Sequence, residues 1–195
     1  MPISTCNIAK KQPTIVTKRL VLRPFGDADI DRLAKLSNDK RIAEMTLLIP
    51  HPYTEETAQG WIATHRGEFE RGEGVIFAVT MKGEDGIIGA IGLGVDSDHN
   101  RGDMGYWLGV PYWNRGFCSE AAGAVVAYGF EELKLNKICA NHFTTNPASG
   151  RVMVKIGMTE EGLFRKHVEK WGEYKDIICY GILAEEYMKK LRESD

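Results

Sequence analysis

The sequence predicts a mixed α/β fold, with a mixed sheet covered by helices on both faces. Three observations lead there. Val75 to Met81 and Ile87 to Val95 are two β-rich apolar runs joined by Lys82-Gly-Glu-Asp-Gly86, which reads as a hairpin. Asp103 to Val110 reads as a strand that runs through a glycine turn into a helix and then into a strand over Lys137 to Phe143. Such a strand–helix–strand unit forms a right-handed parallel crossover. A further helix and two more strands follow, so the order is hairpin, strand, helix, strand, helix, strand, strand.

The elements have local reasons. Leu20-Val-Leu-Arg23 is a first strand ended by Pro24. Asp27 stands where it could cap a short helix carrying Ile30, Leu33 and Ala34 on one face. From about Thr54 to Arg71, Ala58, Trp61, Ile62, His65 and Phe69 recur at helical spacing, and Gly72 and Gly74 end the run. Asp96 to Gly102 is a polar loop. The helix after the glycine turn has the clearest apolar stripe: Ala122, Val125, Val126, Gly129, Phe130 and Leu133. Asn146-Pro147 supplies an N-cap and a first-turn proline for a helix from Pro147 to Ile156, which Gly157 ends in a left-handed cap. Met158 to Glu169 and Tyr174 to Leu183 are the last strands, and a polar helix closes the chain.

Composition narrows the function classes. A chain of 195 residues suits one domain with a sizeable core. Its 43% hydrophobic and 27% charged residues exclude disorder as the general state. A net charge of −2 and the lack of any run of five basic residues argue against a nucleic-acid partner. Cys6, Cys118, Cys139 and Cys179 form no C-x-x-C pair and no metal-ligand spacing, so reduced thiols and no metal are expected. Residues 1–16 lack the apolar core of a signal peptide, and no window approaches membrane-spanning length. The expectation is a cytoplasmic protein without a membrane partner. Residues 1–16 would be a loose arm and residues 17–195 one domain, with no repeat, low-complexity tract or linker.

The motif with most chemical content is Val110-Pro-Tyr-Trp-Asn-Arg-Gly-Phe-Cys-Ser-Glu-Ala121. A glycine turn that opens a helix aims several unpaired N–H groups in one direction, and the helix dipole adds partial positive charge. That suits a phosphate or pyrophosphate. Gly116 alone is equally well explained as relief of a steric conflict in an ordinary turn. The surroundings decide: a strand before it, then Asn146-Pro-Ala-Ser149, then Lys155-Ile-Gly157-Met158.

Together these residues resemble the GNAT family of acyl-CoA-dependent N-acetyltransferases, and within it the branch of RimJ/RimL-type ribosomal-protein N-terminal acetyltransferases. The resemblance runs from Thr17-Lys-Arg-Leu-Val-Leu-Arg-Pro24 to Tyr174-Lys-Asp-Ile-Ile-Cys-Tyr-Gly-Ile-Leu183. It implies a mostly antiparallel sheet whose central parallel pair splays to admit the pantetheine arm of acetyl-CoA. It further implies that the N–H groups of Asn114, Arg115, Gly116, Phe117, Cys118 and Ser119 hold the CoA pyrophosphate, with a charged contact from Arg115. The Leu108 main chain would pair with pantetheine while a nearby N–H polarises the thioester carbonyl. Asn146 would bond the pantetheine amide, and Ser149 would protonate the departing thiolate. Asn146 is also fully explained as a helix cap. Two positions depart from the family pattern: Trp113 stands where Gln or Arg is usual, as is common in this branch, and Cys118 replaces a small Ala or Gly. A helix N-terminus lowers a thiol pKa, yet direct transfer needs no enzyme thiolate.

The resemblance leaves the general base open. Asp103, beside the acceptor end of its strand, is the leading candidate. A glutamate used by some relatives aligns with Val168, between His167 and Glu169. An α-amine is about a tenth neutral at pH 7 and a free lysine less than roughly a thousandth, so a base matters less for a protein N-terminus. His65 reads as a packed histidine, Glu120 as a dipole-favoured first-turn residue. The acidic residues Glu55, Glu56, Glu68, Glu70 and Glu73 read as a solvated helix face; the resemblance implies that this region borders the acceptor groove, where a basic peptide would be attracted. The implied reaction is direct acetyl transfer to a primary amine, a protein N-terminus first and a polyamine, amino acid or antibiotic second. A non-catalytic acyl-CoA-binding module is the competing class. A homodimer is compatible with this reading.

Overall fold

The computed structural model describes residues 11–194. One eight-stranded sheet runs in the order β1-β2-β3-β4-β5-β6-β8-β7. The strands are β1 (Ile15–Val16), β2 (Leu20–Arg23), β3 (Gly74–Met81), β4 (Ile87–Asp96), β5 (Arg101–Leu108), β6 (Lys137–Phe143), β7 (Thr159–Lys170) and β8 (Glu173–Leu183). Neighbours pair antiparallel except β5 and β6, which run parallel. The hairpin, the crossover strands and the closing strands therefore stand where the apolar runs put them.

The helices are α1 (Ile30–Ser37), α2 (Lys40–Met45), α3 (Glu55–Arg71), α4 (Phe117–Glu131), α5 (Pro147–Ile156) and α6 (Ala184–Ser194). Alternation along β3 shows how two faces are served. Phe77 and Val79 join a large core with Val125, Val126 and Phe130 of α4 and Met153 of α5. Ala78 between them faces a smaller core with Leu33 and Ala34 of α1 and Ala58 of α3. α3 begins where Thr54 accepts from the Thr57 N–H and ends at Gly72 in the left-handed conformation.

Three expectations need amendment. Of the segment expected to be a loose arm, residues 1–10 and with them Cys6 lie outside the described residues. Beyond them, Ile15 and Val16 pair with Leu22 and Val21, and Gln12 donates to the Ile76 carbonyl at 2.8 Å. Asp27 does not cap the first helix. It opens a single 3-10 turn, and Asp29 accepts from Gly26 N–H (2.9 Å) and from both Arg23 terminal nitrogens (2.7 and 2.8 Å). The helix α2, capped by Asp39 accepting from Arg41 N–H, was not expected at all.

Candidate active site

β5 and β6 are paired only at Arg101–Lys137, Gly102–Ile138 and Asp103–Cys139. Beyond Asp103 they part, β5 staying with β4 as far as Leu108 and β6 staying with β8 as far as Phe143. A gap thus opens in the middle of the sheet between Met104–Leu108 and Ala140–Phe143. Gly109 donates its N–H to Ile88 on β4 at 2.8 Å, so by strand alternation Leu108 turns its own main chain to the gap. The Leu108 carbonyl accepts Trp113 Nε1 at 2.7 Å. Trp113 therefore occupies half of the main-chain pairing expected of Leu108 and leaves its N–H for a ligand.

At the open end of β5 a 3-10 turn (Val110–Tyr112) leads to the glycine turn. Asn114 and Gly116 both have positive φ (57° and 77°), a conformation asparagine tolerates and glycine adopts freely. The first α4 hydrogen bond is Glu120 N–H to Gly116 carbonyl at 3.1 Å, so the N–H groups of Phe117, Cys118 and Ser119 precede it without a helical acceptor. Arg19 and Arg115 guanidinium groups lie 4.6 and 4.8 Å from the Phe117 ring centroid. Arg19 also donates to the Arg115 carbonyl (3.0 Å) and to Glu120 (2.6 Å). Glu120 additionally accepts from Thr17 Oγ1 and from Arg19 N–H, each at 2.7 Å. Burial alone would raise its carboxyl, but these donors hold it below the usual range. Glu120 thus stitches residues 17–19 to the turn, a role beyond favouring the dipole. Arg19, missed in the sequence reading, adds a second cation at the turn.

Cys118 is the reverse of a reactive thiol. Burial pushes it up to about 12, overriding the helix terminus.

Across the gap, Ser149 in the first turn of α5 meets Tyr106 of β5. The Tyr106 hydroxyl lies 3.0 Å from the Ser149 carbonyl and 2.9 Å from its Oγ. Both contacts are satisfied when tyrosine donates to the carbonyl and serine donates to the tyrosine oxygen. Burial raises the phenol pKa well above its ordinary value, opposed by the serine bond, so the proton stays on at neutral pH. Asn146 caps α5 by accepting from Ser149 N–H (3.3 Å) and donates to the Met45 carbonyl (3.4 Å). Gly150, odd in a helix, has a steric cause. A Cβ there would stand 2.6 Å from His142 Nε2. His142 is buried and fixed by a 2.7 Å contact from Nδ1 to the Phe143 carbonyl and by a stack on Tyr180.

Asp103 sits at the last paired position before the strands part. It is exposed, yet lies on the sheet floor, where partial desolvation raises its carboxyl and Arg101 opposes the rise. Cys139 is its paired neighbour. His167 and Glu169 are exposed on β7, away from this pairing. The site therefore brings together the turn, Leu108, Tyr106, Ser149 and Asn146 around one gap, with Asp103 at its closed end. Among the described residues no cluster of three metal-ligating side chains occurs, and no helix is long and apolar enough to cross a membrane.

Comparison with known proteins agrees with this geometry. Residues 19–159 match the family model of the acetyltransferase (GNAT) domain. The N-acetyltransferase YnaD of Bacillus subtilis is 34% identical over 89% of this chain and 98% of its own. A putative ribosomal N-acetyltransferase of the same organism, YdaF, is 26% identical over 88% of this chain and 95% of its own. RimL, a ribosomal L7/L12 alpha-N-protein acetyltransferase solved with coenzyme A, shares the fold at a TM-score of 0.80. Its identity is 18%, over 88% of this chain and 98% of that one. By the family match over residues 19–159 and by its likeness to YnaD, the chain belongs to the GNAT family of acetyltransferases.

Proposed function

We propose that this protein transfers the acetyl group of acetyl-CoA directly to a primary amine, with a protein N-terminal α-amine as the acceptor. The observation that carries the reading is the gap beyond Asp103, flanked by the Gly116 turn at its mouth and the Tyr106–Ser149 hydroxyl pair within reach. In this reading the N–H groups from Asn114 to Ser119 and the Arg115 and Arg19 guanidinium groups hold the pyrophosphate. Pantetheine lies in the gap, bonded by the Leu108 N–H and by Asn146. The thioester carbonyl then has a fixed main-chain donor where negative charge develops.

The neutral amine attacks that carbonyl, and the tetrahedral intermediate collapses by breaking the C–S bond. The thiolate leaves and takes a proton from the Tyr106–Ser149 pair, whose phenol is still protonated at neutral pH. Asp103 takes the proton released by the amine; its raised carboxyl moves towards the pH at which a base works best. An α-amine needs little such help, being about a tenth neutral at pH 7. The likeness to YdaF, named a putative ribosomal N-acetyltransferase, favours this acceptor class.

The test is thiol release from acetyl-CoA against a panel of short peptides with free N-termini, polyamines, amino acids and aminoglycosides, alongside calorimetry with desulfo-CoA. Acceptor-dependent thiol release with peptides is expected. Release only with small amines would replace the acceptor, and desulfo-CoA binding without any acceptor-dependent release would make the chain a binding module.

A further inference from the structure

Lys170, the last residue of β7, is 7% exposed although it is a lysine at a strand end. Its Nζ donates to three main-chain carbonyls of one loop: Thr46 (2.6 Å), Leu47 (3.0 Å) and Ile49 (2.8 Å). An ammonium has three protons, and this loop takes them all. Desolvation lowers the Lys170 pKa, the expected cost of burying a cation against carbonyls alone. The loop joins α2 to α3 and is held at its two ends as well. Asn146 Nδ2 reaches the Met45 carbonyl at 3.4 Å, and Asn38 Oδ1 accepts from Tyr53 N–H at 2.8 Å.

What this clasp presents to solvent is apolar. Leu48, whose carbonyl the lysine skips, is 88% exposed at the loop tip, and Leu47 is 43% exposed. Trp171, 53% exposed, has its ring centroid 4.9 Å from the same Nζ that holds the Leu47 carbonyl at 3.0 Å. Through Asn146 the loop is one hydrogen bond from the start of α5 and hence from the Ser149–Tyr106 pair. A surface loop of this length is ordinarily mobile, and ordering it on binding weakens affinity. Here the ordering is done beforehand by a buried cation, and the start of the loop is bonded to Asn146 at the head of α5.

We propose that Lys170 is a positioning residue for the amine acceptor: it holds Leu47 and Leu48 beside Trp171 as an apolar lip, against which an apolar side chain next to the reactive amine packs. This deepens, and rests on, the reading as an amine acetyltransferase. The acceptor class is thus an N-terminal amine followed by a large apolar residue.

The experiment compares the full-length chain with Lys170→Met, which keeps the stem and removes the donors, and with Leu48→Ser, too exposed to endanger folding. Two hexapeptides differing only in their second residue, Phe or Ser, serve as acceptors, with desulfo-CoA affinity measured in parallel. The wild type should favour the Phe peptide by roughly tenfold in kcat/KM, as a buried aromatic anchor does. In Lys170→Met the KM for that peptide should rise roughly tenfold while desulfo-CoA affinity stays within about twofold. Lys170→Arg should recover part of the loss, and Leu48→Ser should erase much of the preference without changing desulfo-CoA binding. An unchanged peptide KM in folded Lys170→Met, or equal loss of cofactor affinity, kcat and KM, overturns the proposal while leaving the acetyl-transfer reading intact. A wild type that binds desulfo-CoA but acetylates no amine overturns that reading, and this inference with it.

Discussion

Gly150→Ala should destabilise the protein, although glycine to alanine within a helix ordinarily stabilises it by about 1 kcal/mol. The added Cβ would lie 2.6 Å from His142 Nε2 and 3.3 Å from its Cε1. To move aside the imidazole must give up its Nδ1 contact to the Phe143 carbonyl and its stack on Tyr180. Overpacking of that kind costs roughly 1–3 kcal/mol, so the net change should be a loss of up to about 2 kcal/mol. Urea denaturation followed by circular dichroism reads it directly. The companion measurement is made in a His142→Ala background, where the clash partner is gone. There Gly150→Ala should stabilise by about 1 kcal/mol, giving a coupling of about 1–3 kcal/mol between the sites. Because Ser149 precedes Gly150, the single variant should also lower kcat while sparing desulfo-CoA affinity. A Gly150→Ala protein more stable than the wild type by about 1 kcal/mol, or a coupling near zero, would refute the close approach of α5 to β6.

Tyr106→Phe removes the hydroxyl that meets Ser149 and should lower kcat by roughly a hundredfold with little change in the KM for acetyl-CoA, measured by steady-state kinetics. Loss confined to KM would take the proton-donor role away from it. Arg19→Ala breaks the contacts to Arg115 and Glu120 and removes one cation from the turn. Desulfo-CoA affinity should fall roughly tenfold, more at low salt than at high, by calorimetry. His65, buried against Phe25 and Trp61 with neither ring nitrogen paired, has its pKa lowered to about 4 from 6.5 by burial. A depressed folded-state pKa means the stabilisation is whole above pH 6.5 and is lost as the pH falls towards 4. The loss across that window is on the order of 3 kcal/mol, and His65→Phe should flatten the corresponding slope of stability against pH.

Local chemistry made much of the fold readable. The β3–β4 hairpin, β6 and the α5 span needed only apolar runs, a glycine-bearing connection and the Asn146-Pro147 and Gly157 ends. Most of what escaped has a cause outside its own stretch of chain. Ile15 and Val16 are a strand because β2 lies alongside, and α2 is too brief for any periodicity to declare it. Asp29 rather than Asp27 is fixed by a guanidinium from the preceding strand. The gap between β5 and β6 reached the sequence reading only through family resemblance, since no pattern of side chains marks where a ladder stops. Nothing near Tyr106 in the sequence marks it for the site, because its partner, Ser149, is distant along the chain. Lys170 lies just past the expected strand end at Glu169 and nothing in the local sequence singles it out; only the returning α2–α3 loop buries it.

Three residue pairs are all that join the five strands on one side of the gap to the three on the other. The sheet is in effect two leaves on a short hinge, bound along the rest of the seam by the helices lying across them. Any elongated molecule lodged in that seam becomes a masonry tie, completing a ladder that the polypeptide leaves unfinished. At a hundredfold excess over its dissociation constant it would add about 2.7 kcal/mol to the resistance against unfolding, so heat tolerance should track how full the seam is.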